Sequence, residues 1–125
     1  MTEEEKGKRI KQEYQRLKKF FSGADPAQRG ISENLIQNAA FIKVTLEDLQ
    51  EIMKTDGLVE TYQNGENQSG VKQSAALQAY NNLVRNYATI IRQLAGIMAE
   101  DAQASESSKL RDLIKSIKAE PNNGE

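Results

Sequence analysis

The sequence predicts an all-α protein: a long antiparallel helical hairpin with an N-terminal helix, a short β-hairpin or loop excursion, and a short C-terminal helix. Two observations carry that class. Leu35, Ala39, Ile42, Leu46, Leu49 and Met53 repeat at steps of four and three, and Tyr80, Leu83, Tyr87, Ile90, Leu94 and Ile97 do the same. Such spacing lines one face of a helix with apolar groups. Between the two runs, the β-branched and aromatic string at 58–62 and the Asn64-Gly65 pair signal a tight β turn.

The first helix is expected over residues 2–21. Thr2 and Glu5 stand at capping-box spacing, and Glu3, Glu4 and Glu5 suit the positive end of a helix dipole. Ile10, Tyr14, Leu17 and Phe21 form its apolar stripe, and Ser22-Gly23 ends it. The second helix is expected to open at Asp25 as N-cap, with Pro26 in the first helical position, and to end at Thr55 before a Gly57 cap. Gly30 followed by Ile31, Ser32 and Glu33 allows a break and a second start there. Ser74 is the expected N-cap of a third helix reaching about Glu100. Its stripe is widened by Val84, Ile91 and Met98, which leaves an edge for another subunit. Residues 101–108, rich in Ala, Ser and Gln, read as a linker. Ser105 or Ser107 then caps a short helix bearing Leu110, Leu113, Ile114 and Ile117. The tail at 121–125 is expected to be disordered. The organisation is therefore a basic helix at 1–24, a helical oligomerisation core at 25–100 with its turn at 57–73, and a C-terminal appendage at 101–125.

Composition narrows the function. The 125 residues are 38% apolar and 28% charged, enough for one small domain that gains from self-association. The chain has no Cys and no His, which removes thiolate chemistry, the commonest general base and the commonest transition-metal ligand. No apolar run approaches a membrane span, and the Glu-rich start does not resemble a signal peptide, so a soluble intracellular protein is expected. No phosphate-binding glycine loop or nucleophile–base pair is present, and the expectation is a non-enzyme without cofactors. The acidic residues Glu47, Asp48 and Glu51 share one helix and would need ligands from elsewhere to hold Mg²⁺; a solvated face is the simpler reading.

Net charge is −1, but residues 1–21 hold seven Lys/Arg against four Glu, a balance of +3 that leaves −4 for the rest. Lys6, Lys8, Arg9, Lys11, Arg16, Lys18 and Lys19 are the candidate DNA contacts, with Lys8, Lys11, Lys18 and Lys19 near one flank. A solvated amphipathic helix explains the same residues. Tyr80 and Tyr87 lie on one face and read as interhelix packing groups rather than base-stacking platforms. The candidate oligomer contacts are Leu35, Ile42, Leu46, Leu49, Met53, Tyr80, Leu83, Val84, Tyr87, Ile91, Leu94 and Met98.

The string at 38–49, Asn-Ala-Ala-Phe-Ile-Lys-Val-Thr-Leu-Glu-Asp-Leu, resembles the central helix of a group of tailed-phage terminase small subunits. The likeness continues through 57–68, Gly-Leu-Val-Glu-Thr-Tyr-Gln-Asn-Gly-Glu-Asn-Gln, to Ser74, Tyr80 and Asn81, and again over 86–94. It covers roughly residues 8–98, and its order of aromatic, amide and glycine at 57–68 is not generic to helical proteins. The resemblance implies a homo-oligomer, a ring of about 8–11 copies. Such a ring binds double-stranded viral DNA at the packaging site and regulates the ATPase and nuclease of a large terminase subunit in the host cell cytoplasm. The chain departs from many relatives in lacking a clear helix-turn-helix and a long C-terminal segment, so the resemblance transfers no DNA-contact residues. A small dimeric DNA-binding regulator and a helical protein-binding adaptor are the alternatives.

Overall fold

The computed structural model describes residues 2–23 and 25–119. It is mostly helical. Three helices, α1 (Glu3–Phe20), α2 (Arg29–Asp56) and α3 (Ala75–Ala119), accompany one antiparallel sheet of two strands, β1 (Val59–Gln63) and β2 (Ser69–Gln73). The 121–125 tail lies outside the described residues.

The start of α1 is the expected capping box. Glu5 N–H donates to Thr2 Oγ1 at 3.1 Å, and Thr2 N–H donates to Glu5 Oε2 at 3.3 Å. Two of the helix's orphan donors are thereby satisfied. The start of α2 differs from expectation. Asp25 does accept through its side chain, from Ala27 N–H at 2.8 Å, but this closes only a turn, completed by Gln28 N–H to Asp25 C=O at 2.9 Å. The helical ladder begins later, with Ser32 N–H donating to Gln28 C=O, so Gln28 is the N-cap and Arg29 the first helical residue. Asp25 N–H in turn donates to Asp101 Oδ2 of α3 at 2.9 Å, which ties this turn to another helix. Gly30 lies within the first turn of α2 and does not break it.

The far end of α2 is closed by Gly57, whose φ of 85° suits only glycine and whose N–H donates to Met53 C=O. The chain then turns into the hairpin, registered Val59↔Gln73, Thr61↔Val71 and Gln63↔Ser69. Its loop is longer than a two-residue Asn-Gly turn. Asn64 N–H donates to Gln68 C=O, and Gly65 supplies the positive φ of 91° inside that loop. Ser74 Oγ then accepts from Leu77 N–H at 3.0 Å and starts α3.

The expected linker and separate C-terminal helix are overturned: α3 runs unbroken for 45 residues. Residues 97–119 contain neither Gly nor Pro, and their Ala, Gln, Glu and Lys are good helix formers. Serines lower helix propensity only mildly. The segment therefore has no reason to stop at Glu100.

The core lies where the helices meet. Leu17 of α1, Ile36, Ala39 and Ala40 of α2 and Leu94 of α3 are all buried and form one cluster. Ile10, Tyr14, Phe21, Leu35, Tyr87, Ile90 and Ile91 pack around it. The two alanines have no exposed surface at all, so the backbones approach closely at that point. Gln28 reaches Glu100 near one end of α2, and Gln50 reaches the Tyr80 hydroxyl near the other. From residue 102 to 117, every side chain of α3 is exposed.

Candidate nucleic-acid and assembly surfaces

Burial of Leu17, with Ile10, Tyr14 and Phe21 beside it, sets the rotation of α1 and divides its basic residues into two groups. The first group is engaged within the chain. Arg9 donates to Asp48 Oδ1 at 2.6 Å and to Glu47 Oε1 at 3.0 Å. Lys6 stands 3.8 Å from Asp48 Oδ2 and 5.1 Å from the centre of the Phe41 ring. Arg16 donates to Glu13 Oε1 at 2.6 Å and lies over Phe20. The hydrogen bond to Asp48 is the main cause of a rise in the Arg9 pKa above its ordinary value. Arg9 and Lys6 tie α1 to α2, whereas Arg16 is neutralised by Glu13 within α1 itself.

The second group faces solvent. Lys8, Lys11 and Lys19 are exposed and form no ion pair among the described residues, and exposed Lys18 lies over the Tyr14 ring. Lys8 and Lys11 line a shallow groove with Gln12 and Gln15. A strip of three or four free ammonium groups with amides between them can contact a phosphate backbone but has no means of reading base edges.

The acidic residues of α2 are accounted for by the same pairing. Glu47 and Asp48 meet Arg9 and Lys6, and Glu51 meets Lys54 at 3.0 Å. Among the described residues, no group of three acidic side chains is placed to hold a metal ion.

The expected assembly residues are also divided. Ile42, Leu46 and Leu94 are buried inside the single chain, and Leu35, Tyr87 and Ile91 pack against its core. Leu49, Met53, Tyr80, Leu83 and Met98 are half-buried, and Val84 is exposed. The tyrosines are packing groups here. Burial pushes the Tyr87 hydroxyl above its ordinary value, and Tyr80 accepts from Gln50 Nε2 at 3.0 Å. The larger apolar exposure falls outside the expected assembly residues: Ile31, Phe41 and Ile52 on α2, Leu58, Val59 and Val71 at the hairpin, and Leu110, Leu113, Ile114 and Ile117 on α3. The α3 set was visible in the sequence as a stripe. The hairpin set becomes visible only once the register puts Val59 and Val71 on one face.

No protein-family model matches the chain, and neither a curated protein nor a solved structure matches it. No helix among the described residues is long and apolar enough to cross a membrane.

Proposed function

We propose that the chain is the small subunit of a phage terminase, a ring-forming component that binds viral double-stranded DNA at the packaging site and regulates the large subunit's motor. The observation that carries this reading is the string at 57–68, which resembles that family's and here spans β1 and its loop, between the two longest helices. Two physical features support it. The antiparallel pairing of α2 with α3 leaves Val84, Ile52 and the far stripe of α3 uncovered, as a protomer of a larger assembly requires. The strip of Lys8, Lys11, Lys18 and Lys19 offers phosphate contacts on the exposed surface of α1.

In this reading the chain is not an enzyme: ATP and phosphodiester chemistry belong to the large subunit, and both act in the host cytoplasm. A native mass spectrum tests the proposal directly, with a closed ring of about 8–11 copies as the expected result. A monomer at micromolar concentration in light scattering overturns it. A dimer with high affinity for a short palindrome points instead to a small transcriptional regulator.

A further inference from the structure

The β1–β2 hairpin is poorly explained by one chain alone. Two-stranded hairpins are marginal in water without a third strand or a backing layer. Here every residue of β1 and four of the five in β2 are exposed. Ser74 N–H donates to Leu58 C=O and Asn64 N–H donates to Gln68 C=O, so the even-numbered residues of β1 bond inward. The backbone groups of Val59, Thr61 and Gln63, and of their partners Gln73, Val71 and Ser69, therefore point outward, where no further strand lies among the described residues. Natural edges are usually guarded by Lys, Pro or a bulge. Neither strand has a proline or a bulge, and none of these six outward residues is charged.

The two edges complement one another. Residues that face each other across an antiparallel pair are outward together, so the same register can be repeated by β1 of one copy against β2 of the next. That repeat sets Glu60, the only charge on β1, opposite Lys72, the only charge on β2, as in the 3.6 Å pair within the hairpin. Thr61 and Val71 then alternate along one continuous β-branched row, with Val59 and Gln73 alternating beside it on the same face. Pairing β1 with β1 would bring two Glu60 carboxylates onto the same face instead.

We propose that the hairpin is the joint between neighbouring copies of this chain, adding edge to edge, β1 to β2, into a shared antiparallel sheet. The contact is head-to-tail, the kind that closes into a ring. This rests on the self-association proposed above.

Because the chain has no cysteine, single-cysteine variants report the joint cleanly. The full chain carrying Thr61→Cys is co-expressed with the full chain carrying Val71→Cys, oxidised, and mapped by peptide mass. Opposed strand residues lie within disulfide reach. Mixed 61–71 crosslinks in clear excess over the half given by random pairing are expected. Predominant 61–61 or 71–71 links overturn the head-to-tail arrangement. An intact oligomer in native mass spectrometry with no crosslink overturns the hairpin joint but leaves the ring standing. A monomer overturns both. Gln63→Cys with Ser69→Cys, the next outward pair, serves if either first variant fails to fold.

Discussion

Arg9 of α1 spans two adjacent carboxylates of α2, with Nη1 on Asp48 and Nη2 on Glu47. Both Arg9 and Asp48 are more than two-thirds shielded from solvent, at 29% and 27% exposure. The pair ties α1 to α2 far from Leu17 and so sets the angle at which the basic helix is presented. A double-mutant cycle with Arg9→Met and Asp48→Asn, read by urea denaturation, is expected to give a coupling of about 1 kcal/mol that shrinks with added salt. Independent effects of the two substitutions would show that the contact does not hold the helix.

The same division predicts which cations bind DNA. Changing Lys8, Lys11 and Lys19 to Gln is expected to remove about three phosphate contacts, lowering the slope of log affinity against log salt by about 0.9 for each. Arg16→Gln, which breaks a contact to Glu13, is expected to leave the slope unchanged. Fluorescence anisotropy on duplex DNA at several salt concentrations separates them. If the arginine change lowers the slope as much as the lysine changes do, the assignment is wrong.

Local signals were legible where the local chain decides the outcome. Thr2 with Glu5, Gly57 and Ser74 each act through atoms a few residues away, and each does what its sequence context implies. Asp25 closes only a turn ahead of α2, and that turn is tied to Asp101, 76 residues away, a contact no local pattern encodes. The stretch at 101–108 failed differently: its composition suits both a linker and a helix, and continuity with a strong preceding helix decided it. In the candidate DNA site, charge identified seven residues; Arg16 stands at i,i+3 spacing from Glu13, but only packing showed that Lys6 and Arg9 are engaged by Asp48 of α2. The hairpin's open edges required the register.

Tyr14 donates its hydroxyl hydrogen to Glu33, and that bond, with burial second, raises its pKa; burial is the first cause for Tyr87. Both groups thus resist ionisation when folded more than in the unfolded chain, where tyrosine titrates near pH 10. Their contribution to stability is fully present below about pH 10 and is lost as pH rises through the higher folded values. The denaturant midpoint is expected to fall between about pH 9 and pH 11 in the wild type, and to fall less in the Tyr14→Phe, Tyr87→Phe double variant. An equal fall in both would remove these tyrosines as the cause.

Leucines at two places on α3 are expected to respond oppositely to truncation. Leu94 is 1% exposed and touches the cluster where all three helices meet. Leu94→Ala removes three side-chain heavy atoms at a close-packed site with rigid alanines opposite, and is expected to cost about 2–5 kcal/mol of subunit stability. Leu113 is 57% exposed, and no other element among the described residues covers it. Leu113→Ala is expected to change the unfolding of the dissociated subunit by less than about 0.5 kcal/mol. Helix 102–117, lacking tertiary support, opens easily in that state. Its amides are therefore expected to exchange with deuterium much faster than those around Leu94 in dilute subunit, measured by mass spectrometry. Protection that appears on assembly would place the Leu110, Leu113, Ile114 and Ile117 stripe in a subunit contact. Equal protection of both segments in the monomer would instead mean that the helix is stable without a partner.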